Sequence, residues 1–125
     1  MNSLSTLERE VLRLFLDYPS NKAKNFQRQA DSATIVRRMN TGAGIICDLS
    51  IDDADFLKSI ESFELANVWG RHPQSPSGIV FILFIRAGRL SWLEGASCDG
   101  EWPSSPNQIE VFRKERDIEA RLMSD

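Results

Sequence analysis

The chain has 125 residues, 42% of them hydrophobic and 26% charged, with only 7 glycines and 5 prolines. This composition excludes a disordered, collagen-like or low-complexity polypeptide and is typical of one folded domain with its own core. Fifteen basic against eighteen acidic side chains give a net charge of −3. That balance argues against a nucleic-acid-binding protein, whose affinity depends on basic residues that displace counterions from phosphates.

The N-terminal segment predicts two helices. Ser5 and Glu8 fit a capping box, in which the serine hydroxyl and the glutamate carboxylate each accept one unpaired amide N–H. Apolar residues follow at the spacing of a buried helix face until Pro19 ends the helix, because proline disfavours helical geometry in the residue before it. Ser20 is a second N-cap candidate, and a shorter helix is predicted from there to about Asp31.

From residue 34 onwards the apolar residues alternate with the period of two that indicates β-strands. Residues 34–39 and 45–51 are predicted to form a hairpin, because the residues from Asn40 to Gly44 tolerate the backbone geometry of a tight turn. A third strand is predicted at residues 60–69. We expect the residues from Gly70 to Gly78 to form a surface connection, since two prolines lie in this stretch.

The segment Ile79–Ile85 is apolar at every position and predicts the strongest strand. One of its faces is expected to lie under the helices, and the other under a second layer, the C-terminal segment or a partner subunit. After a turn, residues 90–94 return as the paired strand. Residues 95–108 are predicted to be irregular, and residues 109–112 to form a last strand.

These elements predict an α+β fold in which two N-terminal helices pack on a mainly antiparallel sheet of about five strands. The whole chain, residues 1–125, is expected to be one domain, with a short or frayed helix after about residue 113. Residues 52–57 fit either a short helix or a loop. We expect a cytoplasmic protein with no membrane partner, because no secretory signal opens the chain and its longest apolar run cannot span a bilayer. Cys47 and Cys98 are expected to be free thiols.

Three short motifs follow one another along the chain. Thr41–Gly44 has the pattern TGxG, Gly88–Gly95 has the pattern GxLxxLEG, and Trp102 and Pro103 form a late WP pair. In these motifs the chain resembles a family of small uncharacterised bacterial proteins. The resemblance implies a bacterial origin and a small α+β fold, and some bacterial α+β proteins of this size are immunity proteins.

His72, Glu94 and Cys98 are the candidate residues of a ligand pocket or active site. His72 is the only histidine and is predicted to lie on the surface, and no CxxC or HxxxH spacing supports a metal site. Glu94 ends an apolar strand, where a carboxylate can act as a general acid or base. We favour a structural hydrogen bond or an ion pair with Arg86 or Arg89. No cofactor, no metal and no catalytic residue is predicted.

The middle of the chain is acidic, with Asp48, Asp52, Asp53 and Asp55 close together. These residues lack the order and the glycine of a calcium-binding loop. They form either a solvated face or a docking surface for a basic partner. The later loop adds two more acids and Trp102, which is either an interface anchor or a plug for the end of the core.

The leading hypothesis is a non-catalytic cytoplasmic protein-binding domain of the immunity or antitoxin type, which occludes a basic partner such as a toxin domain. The partner-binding residues are predicted to be Asp48, Asp52, Asp53, Asp55, Asp99, Glu101 and Trp102. One alternative is a small-molecule-binding domain or small enzyme with a pocket formed near Glu94 by His72 and Cys98. Another is a homodimer that pairs through the doubly apolar strand and has a structural role.

Overall fold

The computed structural model describes residues 3–52, 61–114 and 119–123. Within these residues, two helices, six strands and two single turns of 3-10 helix follow one another, which confirms the predicted α+β class. The elements are α1 (Thr6–Leu16), α2 (Asn21–Ser32), β1 (Thr34–Asn40), β2 (Gly44–Ser50), β3 (Phe63–His72), β4 (Ser75–Arg86), β5 (Arg89–Ser97), a 3-10 turn (Pro106–Gln108), β6 (Glu110–Arg113) and a second 3-10 turn (Ala120–Leu122).

Both helices begin where the sequence predicts. At α1, the Ser5 hydroxyl accepts the Glu8 N–H at 3.1 Å, and the Glu8 carboxylate accepts the Ser5 N–H at 2.7 Å. At α2, the Ser20 hydroxyl accepts the Ala23 N–H at 3.0 Å. The two predicted caps are therefore confirmed, and each fixes the start of a helix by satisfying an amide that has no partner inside the helix.

The strands form one antiparallel sheet in the order β1-β2-β5-β4-β3-β6. Both helices pack on the same face of this sheet, which we call the covered face. Alternate residues of the central strand β4 point into this core and are fully buried; they are Ile79, Phe81, Leu83 and Ile85. The residues between them point to the opposite side, which we call the open face.

The predicted surface connection from Gly70 to Gly78 is wrong. Strand β3 continues to His72 and β4 begins at Ser75, so these two residues pair across a tight hairpin turn. The prolines suggested a loop, but Pro73 occupies the turn itself. Pro76 lies in the part of β4 that extends past the end of β5, where its missing N–H breaks no ladder bond to that strand.

The C-terminal half also departs from the predicted boundaries. Strand β5 reaches Ser97 rather than residue 94. Strand β6 confirms the predicted last strand and pairs with β3, which gives a sheet of six strands rather than about five. The described part of the tail, residues 119–123, contains one 3-10 turn whose Leu122 is buried, and the Ser20 hydroxyl donates to the Leu122 carbonyl. Residues 115–118, where a short or frayed helix is also predicted, lie outside the described residues. Most of the segment 52–57 lies outside the described residues. In the described part of the chain, no helix is long and apolar enough to cross a membrane.

Candidate functional site

Where the structure describes them, the acidic residues predicted to bind a partner do not share one surface. Asp48 lies on the open face of β2, where its carboxylate pairs with Arg37 at 3.1 Å. Asp52 is exposed beyond the end of that strand. Asp53 and Asp55 lie outside the described residues. Of this acidic group, Asp48 alone is placed by the structure on a face of the sheet.

The acidic loop after β5 has mainly structural contacts. The Asp99 carboxylate accepts the backbone N–H of Ser77 at 2.9 Å, and this hydrogen bond lowers the pKa of Asp99 below its usual range. Glu101 is exposed. Trp102 is only 8% exposed, and its ring packs edge-on against Phe81 with 6.3 Å between the ring centroids. Trp102 therefore plugs the end of the core.

His72 is buried, so the prediction that it lies on the surface is wrong. Its Nδ1 accepts the backbone N–H of Gln74 at 3.0 Å, which leaves the proton of a neutral ring on Nε2. Nε2 lies 3.1 Å from the Ser105 hydroxyl and donates to it. In this tautomer His72 does not accept a proton from Ser105, so the pair lacks the arrangement of a nucleophile and its base. The residue is buried because the loop after β5 folds back over the end of the β3–β4 hairpin.

The three residues predicted to share a pocket lie apart. His72 lines a surface cavity of about 340 Å³ at the end of the β3–β4 hairpin, and neither Glu94 nor Cys98 is among its lining residues. Glu94 points to the open face of β5, and Cys98 is exposed after the end of that strand. Within the described residues, no group of three or more histidine, cysteine or acidic side chains is arranged to hold a metal ion.

An ion pair between the buried Glu8 and the partly exposed Arg38 ties α1 to the sheet. Arg38 donates from Nε and Nη2 to the two carboxylate oxygens of Glu8, at 2.8 and 2.7 Å, and Cys47 Sγ lies 3.2 Å from the same carboxylate. Burial alone would raise the pKa of Glu8, but the hydrogen bonds from Arg38, Ser5 and Cys47 outweigh it and hold the pKa below its usual value. Burial and the adjacent carboxylate raise the pKa of Cys47 to about 12. The thiol is therefore inert at neutral pH, and the cluster is structural.

The open face carries a continuous apolar and aromatic surface. The strand register places its members side by side across the sheet, most of them half-buried by their neighbours. They are Met39, Ile46, Trp69, Val80, Ile82, Phe84, Trp92 and Phe112. Both helices lie on the other face, and among the described residues no element forms a second layer here. The sequence signal for this surface was the strand that is apolar at every position.

Aromatic rings and cations are paired at three places on this face, one of which is the Arg71 guanidinium 4.1 Å from the Phe112 ring centroid. Phe84 and Trp92 stack with their centroids 4.3 Å apart, and the Arg86 guanidinium lies over both rings at 5.4 and 5.0 Å. Towards the opposite edge of the sheet, the Lys114 ammonium lies 3.8 Å from the Trp69 ring centroid. Such contacts are attractive because the ring face is electron-rich, and they hold these cations at the margins of the surface.

Glu94 lies in the middle of this surface, between Ile46 on β2 and Ile82 on β4. In the described part of the chain, no side chain forms a hydrogen bond or an ion pair with its carboxylate. The favoured structural hydrogen bond or ion pair with Arg86 or Arg89 is therefore not formed among the described residues, and Arg86 binds Glu64 at 2.9 Å instead. The Glu94 carboxylate is thus half-buried among apolar side chains and has no hydrogen-bond or ion-pair partner in the described residues. The sequence indicated only that Glu94 lies at the end of a strand.

The three sequence motifs meet at one end of the sheet. Gly44 faces the Gly95 carbonyl so closely that a Cβ would overlap it. A Cβ on Gly95 would lie 2.9 Å from the Phe81 ring and 3.0 Å from the Trp102 ring. The backbone N–H of Trp102 donates to the Gly42 carbonyl at 2.8 Å. The motifs therefore meet a packing requirement, in which two glycines make room for a neighbouring strand and an indole.

No protein-family model matches this chain, and neither a curated protein nor a solved structure resembles it significantly. The family resemblance drawn from the three motifs stays a prediction. The functional argument accordingly depends on the geometry of the open face.

Proposed function

We propose that this chain is a non-catalytic protein-binding domain that docks a partner protein on its open face. The observation that supports this most directly is that β4 is apolar on both faces while both helices cover only one. Large contiguous apolar surfaces on globular domains mark interaction sites, and aromatic side chains are enriched in them. Six strands hold these side chains in register, so the surface is formed before binding and little order is lost when a partner docks.

The partner fits better as a different protein than as a second copy of the chain. A second copy whose two-fold axis passes near Glu94 would offer this carboxylate residues of the same central row, such as Ile46, Ile82 or another Glu94. None of these side chains is cationic, so the carboxylate would be buried without a counter-charge. Burial of an unpaired charge costs several kcal/mol, which weighs against symmetric pairing of two open faces.

The charges of the molecule support a basic partner. The chain carries a net charge of −3. On the open face Asp48 and Glu64 are already paired with Arg37 and Arg86, so Glu94 is the acid of the described residues there whose charge is left for a partner. Opposite charge on a partner would speed association and favour the correct orientation. The specific form we propose is an immunity or antitoxin role in the cytoplasm, in which docking sterically covers the working surface of a toxin domain. Both cysteines are free, which suits a reducing compartment.

Site-specific photo-crosslinking in the cells that carry the gene tests this proposal. A photoreactive amino acid replaces Ile82 on the open face in one variant and the exposed Lys24 of α2 in the matched control. We expect the variant at position 82 to capture a discrete protein that the control does not capture. The captured protein is then produced separately and titrated against the wild-type chain.

The reconstituted complex decides the outcome. Ile82→Lys is expected to abolish binding, Ile82→Thr to weaken it while preserving strand preference, and Lys24→Glu to leave it unchanged. Capture from position 24 alone, capture of a second copy of the chain, or capture of no protein would contradict the proposal. So would binding of single-stranded oligonucleotides to the aromatic surface with a steep salt dependence.

A further inference from the structure

Glu94 is poorly placed for the stability of the isolated chain. Its carboxylate lies between Ile46 and Ile82, at a position where an apolar side chain would pack with both neighbours. The strand on which it lies, β5, is internal to the sheet, paired on one side with β2 and on the other with β4. It therefore does not have the usual role of a charged residue on an edge strand, which is to block pairing with another chain.

The cations of this face are already engaged elsewhere. Arg37 pairs with Asp48 at 3.1 Å, and Arg86 pairs with Glu64 at 2.9 Å. Arg71 pairs with Glu110 at 3.2 Å, and Lys114 lies over the Trp69 ring. Within the described residues, no cation reaches Glu94 from the margins of the surface. A partner that covers the apolar surface also removes water from the Glu94 carboxylate, so the counter-charge has to come from that partner.

We infer that Glu94 is the specificity-determining residue of the open face and that it receives an arginine side chain of the partner, an inference that rests on the proposed function. A guanidinium is more weakly hydrated than an ammonium, so it enters the apolar surroundings of Ile46 and Ile82 at a smaller loss of hydration. Its planar set of N–H donors also matches the two oxygens of a carboxylate. The partner surface is thus an apolar patch with an arginine near its centre.

The probe for this inference is the purified partner recovered through position 82. Glu94→Gln keeps the size of the side chain and removes the charge, and it is expected to weaken binding about 30-fold or more. Glu94→Lys is expected to weaken binding further. Exchange of the contacting partner arginine for glutamate should then restore binding to Glu94→Lys. Asp31→Asn, which removes the charge of an exposed acid on α2, on the other side of the sheet, serves as the control and should bind like the wild type.

The outcomes separate the inference from the proposal beneath it. If Ile82→Lys abolishes binding while Glu94→Gln binds like the wild type, the docking face stands and arginine recognition is overturned. A lysine opposite Glu94, or failure of the charge exchange to restore binding, also overturns the arginine assignment. If neither Ile82→Lys nor Glu94→Gln affects binding, the proposed docking face itself is wrong. Thermal unfolding of each free variant confirms that loss of binding does not reflect loss of the fold.

Discussion

The two faces of the sheet differ in how their apolar and charged side chains are packed. On the covered face, apolar residues pack against two helices, and the buried Glu8 carboxylate is neutralised by Arg38. On the open face, the aromatic rings lack a covering layer in the described residues, and Glu94 lacks a counter-charge. Since both faces belong to the same strands, chain propensity does not explain this contrast. The covered face is organised for stability, whereas the open face retains features that reduce the stability of the free domain, as expected of a binding surface.

Truncation of neighbouring residues on β4 gives the largest expected contrast. Leu83→Ala leaves a cavity in a fully buried position and should lower the free energy of unfolding by about 2–5 kcal/mol. Ile82→Ala removes a side chain from the open face and should cost about 1 kcal/mol, because that side chain is only half-buried and lacks a layer above it. Urea unfolding of both variants measures the difference. Equal losses would mean that the open face is covered in the free chain.

The two thiols should differ strongly in reactivity. Burial and the Glu8 carboxylate raise the pKa of Cys47 to about 12, whereas Cys98 is exposed. At pH 8 in native conditions, we expect Cys47 to be alkylated at least about 100-fold more slowly than Cys98, because the thiolate is the reactive form. Mass spectrometry of the peptides over time measures both rates. Rapid alkylation of Cys47 in the folded chain would show that the covered face opens readily.

The ion pair of Glu8 with Arg38 predicts a pH dependence on the covered face. Because the pKa of Glu8 is lowered in the folded state, its contribution to stability is present above the ordinary glutamate pKa of about 4.3 and is lost as the pH falls below that value. Glu8→Gln should cost about 2 kcal/mol near pH 7 and much less near pH 3. Chemical unfolding at both pH values tests this. A cost that does not change with pH would exclude the charged pair as its source.

Replacement of Glu94 gives the smallest effect, but with the opposite sign. Glu94→Leu should raise the stability of the free chain by about 1 kcal/mol, because a leucine packs with Ile46 and Ile82 where the carboxylate has no partner. The matched control Glu101→Leu, in an exposed loop, should change stability little. Thermal unfolding measures both, and light scattering should show more self-association of Glu94→Leu. A destabilised Glu94→Leu would indicate that the carboxylate has a structural contact.

The sequence predicted local features well where the signal was local. The capping residues Ser5 and Ser20 were sufficient to place both helix starts, since a cap involves only residues within one turn. The hairpin around Asn40–Gly44 followed from turn chemistry in the same way. The β3–β4 hairpin was missed because Pro73 and Pro76 signal a loop unless the lengths of the neighbouring strands are known.

The candidate site was only partly accessible from the sequence. The strand Ile79–Ile85 is apolar at every position, which predicted that both of its faces are buried. Glu94 was identified as a carboxylate at the end of an apolar strand. The predicted grouping of Glu94 with His72 was not formed, because alternation along the strands sends the two side chains to opposite faces. The sequence left Trp102 either as an interface anchor or as a plug for the end of the core. Only the contact with Phe81 in the structure distinguishes these two roles.

By itself, the sequence determined the fold class, the starts of the two helices and the strand that is apolar throughout. Each of these depends on periodicity and capping within a few residues. Only the tertiary structure decided which face the helices cover, which residues share the open face and that Glu94 stands among them without a counter-charge. The physical reason is that ion pairs and ring contacts form between residues far apart in the chain. Strand register and the packing of the layers decide which of these residues meet. The order of the amino acids does not state which distant residues come into contact.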